Sequence, residues 1–244
     1  MRNYLKQFST KASSRKEARW SIFDAWAKRS GFKLYRPNLV WLEDQAFQNA
    51  QAQWGDIPGM PEDRRYFVFN LMTRLRKIPG DTADIGVRFG SSSFFILSGL
   101  NDPTRRHHVF DSFEGLSEPT PEDSGGGKST QWTKGKLAVD ESVTRKNLSM
   151  FQNVDYYKGW IPERYPEVAD RRFALIHIDV DLYQPTKDSL EFFYDKVSPG
   201  GAIISDDYGV ASCYGARKAV DDFFADKPET VVNIPTGQCL IIKR

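Results

Sequence analysis

The sequence predicts an α/β fold, a mostly parallel sheet with helices on both faces and a helical extension ahead of it. Three observations predict it. From residue 61 onward, short apolar runs alternate with helical patterns, as βαβ units require. The last two apolar runs are joined by only Pro235, Thr236 and Gly237, a link that suits an antiparallel hairpin and cannot make a parallel crossover. Several of the runs also end on acidic residues, the place where an open sheet of this class binds its ligands.

Residues 1–60 read as helices and loops, with Trp20, Phe23 and Trp26 at helical spacing. "PEDRRYFVFNLMTRLRKIPG" reads as a helix. Pro61 opens it, Glu62 and Asp63 favour its positive end, Arg74, Arg76 and Lys77 its negative end, and Pro79-Gly80 stops it. Beyond it lie seven strand candidates: "TADIGV", "HHVFDSF", "VDYYKGW", "FALIHIDVD", "GAIISDD", "ETVVNIP" and "QCLIIK". Helices fit between most of them, among them "TKDSLEFFYDKV" and "GARKAVDDFFADK". No repeat or Pro/Gly-rich linker divides residues 61–244, which read as one catalytic domain behind the 1–60 extension.

Composition narrows the function. Lys and Arg number 34 against 32 acids among 244 residues, which gives no basic surplus for nucleic acid. No apolar run approaches the ~18 residues that span a bilayer, and the basic N-terminus lacks the apolar stretch of a secretory signal. Cys213 and Cys239 fit no metal-ligand spacing and read as free thiols in a reducing compartment. A soluble, cytoplasmic protein is expected. Oligomerisation through the aromatic N-terminal region is expected as well.

The run "SGGGKST" at 124–130 imitates a phosphate loop, but the first glycine of G-x-x-x-x-G-K-[ST] falls on Glu122. The preceding "SEPTPED" cannot be a buried strand, and the next residues, "QWTKGK", have no helical period. A mobile loop is the better reading.

Four strand ends carry the chemistry. In "ADIGVRFGSSSFF", Asp84, Gly86 and Gly90 form an acid and glycine pattern at a strand-to-helix turn. It lacks the dinucleotide glycines and suits the amino-acid part of S-adenosylmethionine, whose ammonium Asp84 would accept. In "HHVFDSFEGL", Asp111 comes about 25 residues later, an interval at which an acid takes ribose hydroxyls. Asp179 and Asp181 end the "FALIHIDVD" strand on alternate positions, hence on one side, and Asp206 and Asp207 end the next. With neighbouring strands ~4.8 Å apart, these carboxylates would converge and repel unless a cation joined them. An all-oxygen set favours Mg²⁺, with Mn²⁺ or Ca²⁺ as alternatives, over zinc. His177 reads first as a packed strand residue and second as a base. Trp132, Tyr183, Tyr208 and Tyr214 read as packing or as acceptor-pocket walls.

Together "VFDSFEGL", "HIDVDLYQPTKDSLEFFY", "PGGAIISDDY" and "GARKAVDDF" resemble the macrocin-type sugar O-methyltransferases over about residues 62–240. The resemblance implies a class I S-adenosylmethionine fold with a seven-stranded, mostly parallel sheet ending in an antiparallel hairpin. It implies a Mg²⁺-dependent transfer of a methyl group to a hydroxyl of a sugar diol in a glycoside or natural product. The rivals are a catechol-like or other non-sugar diol as acceptor, or a cofactor-binding subunit without catalysis. By position, Asp179, Asp206 and Asp207 match the family's Mg²⁺ ligands, and Asp181 its general base. Asp84, Gly86 and Gly90 match the first cofactor motif, Asp111 and Ser112 the ribose motif, and Gly159 and Trp160 a segment beside the adenine. The family usually has Trp-Arg and two glycines where this chain has Arg88-Phe89-Gly90-Ser91, and residues 1–60 match no family pattern. Residues 116–136 correspond to a lid over cofactor and acceptor that would exclude water.

Overall fold

The computed structural model describes residues 12–31, 39–125 and 130–244. The chain divides into two compact units, Met1–Gln48 and Asn49–Arg244. In the first, helix α1 (Ala12–Arg29) carries Trp20, Phe23 and Trp26, as their spacing predicts. Helix α2 spans Gln45–Trp54. Of the glycine-lysine run, Gly126, Gly127, Lys128 and Ser129 lie outside the described residues. No described helix is long and apolar enough to cross a membrane.

The second unit holds a seven-stranded sheet. Its strands are β1 (Asp81–Ile85), β2 (His107–Asp111), β3 (Val154–Lys158), β4 (Phe173–Ile178), β5 (Val197–Ser205), β6 (Val232–Asn233) and β7 (Cys239–Ile242). They lie in the order β3-β2-β1-β4-β5-β7-β6. The first five are parallel, and β7 enters antiparallel between β5 and β6, as the three-residue link requires. β4, with neighbours on both edges and helices on both faces, is buried at every residue, which explains its unbroken apolar run.

Alternation along the strands sends side chains into two cores. On one face Ile176, Ile178 and Ile203 pack with Phe193 of helix α6 (Tyr183–Phe193) and with Val220 and Phe224 of helix α7 (Tyr214–Phe224). On the other, Leu175, Ala202 and Ile204 meet Val68, Met72 and Leu75 of helix α3 (Glu62–Leu75), with Ile96 and Leu100 of helix α4 (Ser91–Leu100). Helix α5 (Glu141–Asn147) is capped by Asp140, whose side chain accepts from the Ser142 N–H. α3 begins after Pro61 with its acids in the first turn, as predicted, but ends at Leu75. Arg74 lies in its last turn, Arg76 is its C-cap and Lys77 follows.

Candidate active site

The strand ladder continues one rung past several strand ends, and this sets the site. Gly86 N–H donates to Phe110 O, Gly159 N–H to Asp111 O, Asp179 N–H to Ile85 O and Asp206 N–H to Ile178 O, at 2.8–3.0 Å. Residues from five separate stretches therefore meet at the carboxyl edge of the sheet. They line a cavity of about 750 Å³.

Gly86 makes the close approach possible. Its φ is +84°, and a Cβ there would stand 1.8 Å from the Asp179 carbonyl oxygen. Beside it, Asp111 receives the Val87 and Arg88 N–H groups on Oδ2 at 2.9 Å and the Phe113 N–H on Oδ1 at 2.7 Å. Asp111, Ser112, Gly159 and Trp160 all line the cavity. Ser112 Oγ donates to Gly115 O and accepts from the Glu114 N–H, fixing the turn that leaves β2.

Across the cavity, one oxygen each from Asp179, Asp206 and Asp207 lies within 4.8 Å of the others. Asp206 is the satisfied member. The Arg64 guanidinium of α3 pairs with it, Gln238 Nε2 donates to Oδ1 at 2.6 Å, and His177 Nε2 faces it at 3.4 Å. Burial opposes its charge, but these partners outweigh burial and hold its pKa below the usual carboxylate value. Asp179 accepts no hydrogen bond among the described residues. Burial, and then Asp206, Asp207 and Asp181, push it well above the ordinary carboxylate pKa. Asp207 is pushed the same way by burial and by Asp181 and Asp206. Arg64 thus neutralises one carboxylate and leaves two that lack a cation. All-oxygen donors of this kind fit Mg²⁺.

Two details differ from the sequence reading. β4 ends at Ile178 and β5 at Ser205; Asp179 and Asp206 stand on the one rung by which the ladder continues, whereas Asp181 lies past it and is not oriented by strand alternation. Asp181 reaches the cavity through a left-handed backbone, φ +61°, held by its N–H on Asp207 Oδ2 at 2.8 Å. Its Oδ1 accepts from the Cys213 thiol at 3.4 Å. Burial is the main influence raising the Asp181 carboxyl pKa.

Asp84 and Gly90 do not line the cavity. Asp84 is fully buried, and its oxygens are taken by Ser92 Oγ and Ser93 Oγ at 2.6 Å and by His177 Nδ1 at 2.8 Å. Its oxygens are turned into the protein, away from the cavity. Gly90 is the left-handed residue that starts α4, φ +87°, packed on Leu148. His177 is fully buried between Asp84 and Asp206. Burial opposes its charge, but the two carboxylates outweigh it and raise its pKa well above the usual value. Of the aromatic candidates, Trp132 lines the cavity and donates from Nε1 to Ser212 O at 2.9 Å. Tyr183 and Tyr208 instead bond Asp222 and Asp221.

Sequence reasoning missed Arg64, Gln238, Cys213 and Asp123. Arg64 is 142 positions from its partner, and no local pattern links them. Gln238 carried a signal, a polar residue opening the apolar "QCLIIK" strand. Asp123 is buried in the loop after β2, where it accepts from the Tyr183 N–H and the Thr120 N–H at 2.7 Å. The loop's base is closed by Leu116 N–H on Lys136 O and Gly135 N–H on Leu116 O.

Known proteins resemble this chain in sequence and fold. The profile of the family described as Macrocin-O-methyltransferase (TylF) matches residues 70–234. The chain is 35% identical over 155 residues to an 8-demethyl-8-(2,3-dimethoxy-alpha-L-rhamnosyl)-tetracenomycin-C 4'-O-methyltransferase of Streptomyces olivaceus, covering 60% of this chain and 58% of that one. It is 30% identical over 157 residues to a mycinamicin III 3''-O-methyltransferase of Micromonospora griseorubida, covering 60% and 61%. The matches thus span about three fifths of each relative's length. Among solved structures, that of the O-methyltransferase NovP superposes with a TM-score of 0.62 at 26% identity, covering 75% of this chain and 80% of that one. The fold is that of the class I O-methyltransferases, and the chain belongs to the macrocin O-methyltransferase family.

Proposed function

We propose that this protein transfers a methyl group from S-adenosylmethionine to a hydroxyl of a sugar carried by a glycoside or related natural product, with Mg²⁺ held by Asp179, Asp206 and Asp207. The observation that carries this reading is the shared cavity: the Asp111 turn forms one wall and the aspartate cluster another. Relatives named for methylation of rhamnosyl and mycinamicin hydroxyls support the acceptor class.

Asp111 and Ser112 would hold the donor's ribose, Gly159 and Trp160 its adenine, and the bare Gly86 backbone would let it approach. When bound, the sulfonium donor supplies an electrophilic methyl group, and the divalent ion orients and acidifies adjacent acceptor hydroxyls. An acceptor hydroxyl held in this cavity would have to lie within ~3 Å of that methyl group. Asp181 takes the released proton. Its carboxyl is less acidic than usual, which suits a base, and it stands beside the three ligands without belonging to them. Trp132, Leu116 and Leu137 line the cavity, and the described parts of the lid, 116–125 and 130–136, would shield it from water.

Mass spectrometry after incubation with S-adenosylmethionine and a panel of glycosides and nucleotide-linked sugars tests the reading. A mass gain of one methylene on a sugar, abolished by chelator and restored by Mg²⁺, is expected. Methylation of catechols alone would move the acceptor class, and no product from any diol would leave a binding subunit.

A further inference from the structure

We propose a second cation site beside the aspartate triad, built by Cys213, Asp181 and Asp207, that takes a thiophilic divalent ion such as Zn²⁺ or Cd²⁺. The thiol-containing donor set stands without the methyltransferase reading, and only its competition with Mg²⁺ rests on that reading. One ligand atom from each of the three residues lies within 4.8 Å of the others. A tetrahedral ion with bonds of about 2.0–2.3 Å sets its ligand atoms about 3.5 Å apart. Cys213 Sγ and Asp181 Oδ1 already stand 3.4 Å apart. Asp207 is only 5% exposed, and while its Oδ2 accepts the Asp181 N–H, its Oδ1 accepts no hydrogen bond among the described residues. The three residues all line the cavity, which gives an ion its way in.

Donor chemistry separates the two sites. Three carboxylates select a hard ion, whereas sulfur with two carboxylates selects a softer one. On binding, a metal–sulfur bond forms and the thiol proton leaves to solvent. Asp207 belongs to both donor sets, so an ion in one site competes for a ligand of the other.

Titration of the whole protein with Cd²⁺ in thiol-free buffer, followed by the ultraviolet thiolate-to-metal charge-transfer band, tests this. The chain has two cysteines, and Cys239 is fully buried in β7, so the band can be assigned. One Cd²⁺ per chain is expected, with the band unchanged in Cys239→Ser and retained in Asp179→Asn. It should vanish in Cys213→Ser, and Asp181→Asn should weaken binding by about tenfold or more. Saturating Mg²⁺ should raise the Cd²⁺ midpoint. No band in the wild type, a band that survives Cys213→Ser, or unchanged affinity in Asp181→Asn overturns the site; a midpoint unmoved by Mg²⁺ overturns the sharing of Asp207.

Discussion

Asp206 faces the Arg64 guanidinium, the Gln238 amide and the His177 ring, whereas Asp179 faces no donor among the described residues. The two acids should therefore respond oppositely to neutralisation. Asp179 has a folded-state pKa above its unfolded value, so the native state binds the extra proton. The stability it gives is present below about pH 4 and is lost as pH rises. In metal-free buffer near neutrality, Asp179→Asn should melt above the wild type by on the order of 3 °C. The gap should close below pH 4 and reverse when Mg²⁺ stabilises only the wild type. Asp206, with its pKa lowered, gives stability that is present above the unfolded value and lost as pH falls through the folded one. Asp206→Asn leaves Arg64 nearly buried without its counter-charge and should cost about 3 kcal/mol in urea unfolding. Asp181→Asn should spare Mg²⁺ binding at the aspartate triad and lower kcat by roughly 10²–10⁴-fold, read from single-turnover methyl transfer.

The turn after β1 and the loop after β2 decide how the strand ends come together. Gly86→Ala would place a methyl group against the Asp179 carbonyl in a left-handed conformation and force β1 and β4 apart at their tips. A loss of at least ~2 kcal/mol is expected in denaturant titration, with weaker binding of S-adenosylhomocysteine by calorimetry. Asp123 ties its loop to the start of α6. Asp123→Ala removes this anchor, and at about 1 kcal/mol per lost bond it should speed limited proteolysis within residues 116–136 roughly fivefold, with the melting temperature little changed.

Across the molecule, what depends on local pattern was legible in the sequence. The alternation of strands and helices, the antiparallel return of β7 and the acids at the carboxyl edge all arise from short-range spacing. Pairings made by tertiary folding were not legible. Asp84 has the sequence context of a ligand-binding acid, yet the fold brings His177 of β4 to it across the sheet and turns both inward. Arg64 has the context of a helix-surface charge, yet α3 delivers it to Asp206. The position of Asp181 was anticipated for a reason the structure replaces, since a left-handed backbone beyond β4, and not strand alternation, brings it to the cavity, while Asp179 stands on the ladder that continues past β4.

A divalent ion at the joined ends of β4 and β5 is the claim on which the chemistry rests, and Mn²⁺ binding followed by electron paramagnetic resonance measures it without reference to turnover. One Mn²⁺ per chain, displaced by Mg²⁺ and lost in Asp179→Asn, is the predicted result. No bound Mn²⁺ in the wild type, or equal binding by wild type and Asp179→Asn, would contradict it.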